Sequence, residues 1–398
     1  MRARLERDFD RFKRGLPREF PAHVRETYGI DLTARYLGEL VPHPIGKGSG
    51  QLSLNPGQLD DDAAAGLAFA VLKTVIAEDA TGAQTMAAWA IHETKMKVER
   101  RRAGADREGW TVTWKGRGWD RPFGEYLALL RAGRDLTRAG RLLVVPSVKY
   151  HLPRLAEPFR EDEYRHTTGL LADAWGDPPL LLEKDFSPTL AGDELADDRA
   201  QILRWLREVP GRIRAASPIP VRVAMKLMNA RFDDAFQVEM MNATAEADAL
   251  VCFNRLFDAE RGIAHGGWDL SDRNLRVLET VQESPGLRPG SVVRLTPHAS
   301  AAIPALTGTG NIGSGRMILE YARRGCESVQ LHTFFQLPLS EYAATHGTRP
   351  ERALHALVFH PQEGLIAGML ELEARRELER HDGELRFLDL PAHAHRAG

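Results

Sequence analysis

Cysteine is scarce in this 398-residue chain, which has only Cys252 and Cys326. Two thiols cannot ligate an iron–sulfur cluster by themselves or build a disulfide framework, which excludes a cross-linked extracellular scaffold. Excess charge of either sign is also missing. Lys and Arg number 53 against 55 Asp and Glu, a net charge of −2, and such a balance predicts no nucleic-acid partner. No apolar run reaches the roughly 20 residues of a membrane-spanning helix, and the N-terminus lacks the apolar core of a signal peptide. What remains is the composition of a globular protein, 43% hydrophobic and 27% charged. The expectation is a cytoplasmic chain without membrane partner or metal site, long enough for one large barrel or two ordinary domains.

What is present is alternation. Short apolar, β-prone runs occur at "HPIGKGSG", "LAFAVLKTV", "RLLVVPSV", "PPLLLEKDFS", "IPVRVAMKL", "ADALVCFN", "AIPALTGTG" and "SVQLHTFF". Helix-like segments separate most of them, among them "FGEYLALLRAGRDLTRAG" and "DRAQILRWLREVPGRIRAA". Eight strands spaced by helices predict parallel βαβ units and an α/β fold, a (β/α)8 TIM barrel ahead of an open doubly wound sheet. Several runs end in polar or small residues, and a barrel gathers such strand ends on one face.

The flanks read as helical extensions. Leu5, Phe9, Phe12 and Leu16 recur at helical spacing and predict a core-facing helix; the acidic residues among the basic ones weigh against a membrane-surface role. The domain expectation is an N-terminal helical extension over residues 1–30, a barrel over 31–345, and a C-terminal helical extension and tail over 346–398. The charged segment "GMLELEARRELERHDGE" is expected to be an outer or subunit-contact element, consistent with a homo-oligomer, and "PAHAHRAG" a disordered tail. "KVERRRAGADREG", Lys97 to Gly109, reads as a solvated surface loop, and "RPGSVVRLTPHAS" is irregular.

The most specific stretch is "LTGTGNIGSGRMILEYARRGCESVQLHTFF". Gly308, Gly310 and Gly313 spell G-x-G-x-x-G before a helix, a pattern suited to a phosphate because glycines admit close backbone approach and the helix start offers free N–H groups. A dinucleotide site further requires a carboxylate closing the next strand. That strand ends in His332 and Thr333, so the dinucleotide reading fails. The phosphate site that barrels build after their seventh and eighth strands fits the position.

With these segments in order, the sequence from about Asp31 to Phe335 resembles the FMN-dependent dihydroorotate dehydrogenases. "TGNIGSGRMILEYARRGCESVQLHT" is similar to that family's FMN-phosphate segment, "YLGELVPHPIGKGSG" to its opening strand, "GLAFAVLKTV" to its Lys-Thr strand, "PVRVAMKL" to its central Lys strand and "ADALVCFN" to its Asn strand. "GIAHGGWDLSDRNLRVLE" resembles its Gly-Gly loop. The resemblance implies FMN as cofactor, with Lys73, Thr74 and Lys226 at the flavin ring, Gly48, Ser49 and Gly50 against it, and Gly266, Gly267, Gly310, Asn311, His332 and Thr333 around the phosphate. A cation at the ring's pyrimidine edge stabilises the charge of the reduced flavin, giving Lys73 and Lys226 a catalytic role too.

The resemblance also locates departures. The family's catalytic loop reads Asn-x-Ser-Cys/Ser-Pro-Asn, and here stands Lys184-Asp185-Phe186-Ser187-Pro188-Thr189. Ser187 takes the place of the base, while Lys184 and Thr189 replace two asparagines that hold the pyrimidine substrate. Asn254 is kept and is followed by Arg255. A site that has lost its matching hydrogen-bond groups rejects the ligand they served. The expected activity is therefore hydride transfer to FMN from a small anionic dihydro-substrate other than dihydroorotate, lined by Asn254, Lys184, Thr189 and Arg255, with an unknown electron acceptor. Two alternatives stay open: a non-redox lyase or aldolase acting on a phosphorylated substrate through a Schiff base at Lys226, and a non-catalytic flavin-binding paralogue.

Overall fold

The computed structural model describes residues 1–87, 97–103, 107–114, 118–186, 198–230, 232–258, 263–267, 270–283 and 303–394. Ten strand segments build its main sheet: β1 Ile45–Lys47, β2 Phe69–Val71, β3 Val75–Ile76, β4 Leu143–Val145, β5 Ser147–Lys149, β6 Leu180–Phe186, β7 Val221–Met228, β8 Ala249–Asn254, β9 Ala305–Thr309 and β10 Cys326–Leu331. They lie in the order β3-β5-β6-β7-β8-β9-β10-β1-β2-β4, every neighbouring pair parallel. The result is a curled, TIM-barrel-like α/β sheet flanked by helices. All eight apolar runs of the sequence contribute to it. Their unbroken apolar character is what parallel strands covered on both faces require.

The covering helices bury one stripe each. In Phe123–Arg138 the buried residues include Phe123, Tyr126, Leu127, Leu130 and Leu136, at spacings of three and four. Gly133 lets this helix sit close, because a Cβ there would come 2.5 Å from Val144 Cγ1 on β4. Helix Glu161–Trp175 covers the next crossover; Glu163, Thr167 and Thr168 lie on its buried face, and these polar residues hide its periodicity in the sequence.

Several expectations are corrected. The charge-rich stretch from Lys97 is no loop: strands Lys97–Ala103 and Arg107–Trp114 form an antiparallel hairpin. The β-prone run "WTVTW" carried that signal, and charge on the partner strand masked it. The hairpin joins Ile263–Gly267 and Leu256–Asp258 in a four-stranded antiparallel sheet, so Gly266 and Gly267 sit on a strand opposite Val112 and Thr111 and not in a loop. The eighth barrel run ends at Leu331, and Thr333–Gln336 turns into a short helix. Pro391–Ala394 belong to a helix, Asp389–Ala394, in place of the expected tail. "RPGSVVRLTPHAS", Ser187 and Thr189 lie outside the described residues.

At the N-terminal ends of the main-sheet strands sits a small hairpin of Ala34–Tyr36 and Glu39–Val41, tied by Arg222 Nη1 to Glu39 Oε1 at 2.7 Å. The two chain ends pack on each other. Helix Arg2–Phe12 buries Leu5 and Phe12. Phe9 stacks on His355 of helix Arg349–Phe359, with ring centroids 4.5 Å apart. Ile30–Asp31 pairs in parallel with Leu385–Arg386. The N-terminal apolar stripe thus faces protein. Among the described residues no helix is long and apolar enough to cross a membrane.

Candidate active site

The C-terminal strand ends open onto a cavity. Its wall is Gly48, Ser49, Gly50 and Gln51 after β1, Lys73 and Thr74 between β2 and β3, Asp185 on β6, Lys226 on β7, Asn254 and Arg255 at the end of β8, Thr309 on β9, and Leu331 with His332 at the end of β10. The structure therefore brings together Gly48, Ser49, Gly50, Lys73, Thr74, Lys226, His332, Asn254 and Arg255 from the sequence-derived set. Parallel topology explains the convergence: every strand enters from the same end, so residues at strand ends meet whatever their separation in sequence.

The wall is cationic. Lys73, Lys226 and Arg255 are nearly buried there, with Asp185 among them. Behind Asp185, Lys149 Nζ lies 3.4 Å from its Oδ2. Burial alone would raise the Asp185 carboxyl, but Lys149, Arg255, Lys226 and Lys184 together hold it well below the usual carboxylate range. Burial lowers the Arg255 guanidinium, and Asp185 opposes that shift. His332 is pushed down to about 3 by burial and then by Lys73, Lys226, Lys47 and Arg255. It is a neutral imidazole at physiological pH. The cations outnumber Asp185 and the buried Glu183, which leaves a cavity that favours an anion.

Individual contacts fix this geometry. Thr74 Oγ1 is 2.8 Å from Ser49 Oγ and 3.0 Å from Ser147 Oγ, which ties the first three crossings of the rim. Gly50 packs against the His332 ring: a Cβ there would come 2.8 Å from Cε1. A Cβ at Gly48 would crowd Gln330 Oε1 at 3.3 Å and Lys226 Nζ at 3.4 Å. Below the loop that follows β1, Lys47 pairs with Asp62 of helix Pro56–Ala64 and donates to the Leu52 carbonyl.

The glycine motif divides its labour. Gly308 backs onto Tyr321, whose Cγ would lie 2.7 Å from an added Cβ. Gly310, at φ +102, backs onto Asn274 and the Phe253 carbonyl. Tyr321 OH lies 3.0 and 2.8 Å from the Thr309 and Gly310 carbonyls as donor, and Asn274 Nδ2 donates to Thr309 O at 2.9 Å. Two glycines thus serve packing. Gly313, with Phe334 Cδ2 at 3.8 Å from its Cβ position, lines a second cavity. Asn311, Ser314 and Thr333 share that wall with Trp110 of the inserted hairpin, Met317 and Phe334. Ser314 caps helix Gly315–Ala322 by accepting from Met317 N at 3.2 Å, and Asn311 Nδ2 donates to Ser271 Oγ at 2.9 Å.

Lys184 lies elsewhere. Alternation along β6 sets it on the side of Phe186, which meets Trp205 of helix Arg199–Ala216, while Glu183 and Asp185 face inward. Its Nζ donates to the Asp185 carbonyl at 2.8 Å. Burial, aided by Lys149 and opposed by Asp185, pushes its amine down to about 7. Sequence reasoning left out Glu183, Gln330 and Tyr36. The first two were legible as polar residues inside apolar strands; Tyr36 and Asn274 carried no signal.

Neither a protein-family model nor a curated protein matches this sequence. A solved structure of DHODH from Eimeria tenella, in complex with ferulenol, is similar in fold, with a TM-score of 0.55 over 88% of this chain and 87% of that chain at 12% identity. At that identity the likeness establishes a shared fold over most of the chain.

Proposed function

We propose that this chain is an FMN-dependent oxidoreductase on a (β/α)8 barrel, resembling the dihydroorotate dehydrogenases, that oxidises a small anionic substrate other than dihydroorotate. In support of the barrel, β2 and β3 are two halves of one interrupted strand, as are β4 and β5. The halves pair at both levels, with Leu72 N donating to Val145 O at 2.9 Å and Ala77 N to Lys149 O at 3.0 Å. Eight strands then follow one another around a ring. We divide the chain into an N-terminal extension over 1–30, the barrel over 31–345 and a C-terminal extension over 346–398, the two extensions packed together.

The observation that carries the reading is the cationic cavity whose walls are Gly48 to Gly50, Lys73, Thr74, Lys226 and His332. FMN fits this donor set. Gly48 carries no Cβ to crowd Lys226 Nζ and Gln330 Oε1, and the available groups are cations and hydrogen-bond donors suited to the acceptor-rich edge of a flavin. Lys73 and Lys226 would hold the ring. Asn311 and Thr333, beside the capped start of helix Gly315–Ala322, would hold the phosphate with Gly310, Gly266, Gly267 and a neutral His332 that donates a hydrogen bond and no charge. When bound, FMN supplies the hydride acceptor. Arg255 and Asn254, both in the cavity wall, would orient the substrate's anionic and polar groups, and the resemblance assigns the proton to Ser187. Asp185, held ionised by its cationic neighbours, acts as their counter-charge. The Schiff-base alternative needs a free amine at Lys226, whereas its Nζ donates to Gln330 Oε1 at 3.0 Å and lies 3.5 Å from Glu183 Oε1.

The test is the visible spectrum of the purified protein, followed by chromatography of the cofactor released on heating. FMN in stoichiometric yield supports the reading. A colourless protein that fails to take up added FMN refutes it.

A further inference from the structure

Beneath the cavity, four polar side chains from four strands close a ring of contacts in a region where barrels ordinarily pack branched apolar residues. Lys226 Nζ donates to Gln330 Oε1 at 3.0 Å and lies 3.5 Å from Glu183 Oε1. Gln330 Nε2 donates to Glu183 Oε2 at 2.6 Å and to Tyr36 OH at 3.0 Å, and Tyr36 OH donates to Glu183 Oε2 at 3.2 Å. The Gln330 amide has one possible orientation, because an ammonium only donates and a carboxylate only accepts. Glu183 and Tyr36 are wholly buried, Gln330 is 1% exposed, and Tyr36 is held flat on Phe69 with centroids 4.0 Å apart. Lys226 is the one member in the cavity wall. A buried ion pair in place of apolar packing adds little stability, so the ring needs another reason.

We propose that Glu183 is the positioning residue for Lys226: with Gln330 and Tyr36 it holds the side-chain amine fixed toward the cavity, setting from below where that group meets an anion bound there. This deepens the flavin reading and rests on it only for the identity of that anion. The carboxylate sits on the side of Lys226 away from the ligand, so it orients the amine without competing for the ligand's contacts. Gln330 prevents the ammonium and carboxylate from collapsing together, since it bridges both.

The experiment is acetylation of the full-length, flavin-free protein by dilute acetic anhydride at pH 7.5, with each lysine quantified by mass spectrometry. Only neutral amines react. In Glu183→Gln, where the amine has lost the carboxylate that holds it, labelling of Lys226 rises about tenfold, while Lys73 stays within twofold of wild type. Glu183→Asp, which keeps the charge, restores Lys226 labelling to within threefold. If Glu183→Gln does not fold, Gln330→Leu decides, with a smaller rise in the same direction. Unchanged Lys226 labelling in a folded variant, or an equal rise at Lys73, overturns the proposal. A separate arm adds FMN to the wild type: failure to protect Lys226 counts against the flavin reading and leaves the role of Glu183 standing on the flavin-free result.

Discussion

Replacing Gly308 by alanine tests whether the first glycine of the motif serves packing or ligand binding. The added Cβ would lie 2.7 Å from Tyr321 Cγ and 3.0 Å from Tyr321 Cβ, against an ordinary carbon–carbon contact of about 3.5–4.0 Å. The ring cannot retreat freely, because its hydroxyl is held at the Thr309 and Gly310 carbonyls and by Asn274 Nδ2 at 3.2 Å. Overpacking of a filled core costs about 1–3 kcal/mol, and a displaced hydroxyl loses one further hydrogen bond of about 1 kcal/mol. Gly308→Ala is therefore expected to lower stability by about 2–4 kcal/mol, read as a shift of the urea midpoint at constant m. Gly313→Ala, with its nearest neighbour at 3.8 Å, is expected to change stability by less than about 0.5 kcal/mol yet to weaken whatever the second cavity binds. Tyr321→Ala supplies the control. Because it opens the space that the added methyl group needs, the double variant should cost less than the two singles added, by about 1–2 kcal/mol. Strict additivity, or a Gly308→Ala midpoint equal to that of wild type, would refute the argument that Gly308 exists to seat Tyr321.

Three further expectations follow from the site. Lys226→Met removes a wall cation without much loss of volume, and should weaken FMN binding at least tenfold by fluorescence titration; equal affinity would sever Lys226 from the flavin. Asn274→Ala frees the Thr309 carbonyl and the Phe253 carbonyl, both acceptors of its amide, and should cost about 1–3 kcal/mol in the urea midpoint; no change would show that the loop holds itself. His43 tests pH dependence: Nε2 donates to Gly66 O at 2.8 Å and Nδ1 accepts from Ile45 N at 3.2 Å, so only the neutral ring satisfies both, and burial lowers it to about 4. The folded state then binds fewer protons than the unfolded one between about pH 4 and 6.5. This contribution is present in full above pH 6.5 and is lost as pH falls, about 3 kcal/mol across the window. His43→Gln should flatten the midpoint against pH over that range, and an unaltered slope would contradict the assignment.

The sequence by itself determined the strands and their order. Parallel strands covered on both sides must be apolar along their length, so all eight runs stood out, while Glu183 and Gln330, polar residues inside two of them, were passed over. It also determined which residues end those strands, and hence that Lys73, Lys226, Arg255 and His332 would meet. What it did not carry is direction. Whether Lys184 or Asp185 faces the cavity depends on the phase of β6 in the sheet, a one-residue matter that continuous apolar runs leave unmarked. The glycine motif shows the same limit. Its spacing is that of a phosphate loop, yet only the tertiary structure assigns Gly308 to Tyr321 and Gly310 to Asn274, because those partners approach from helices whose placement no local pattern records. The inserted hairpin was hidden for a related reason: its strand Arg107–Trp114 pairs with Ile263–Gly267, far later in the chain, and pairing across that distance leaves only a faint trace in the composition of either segment.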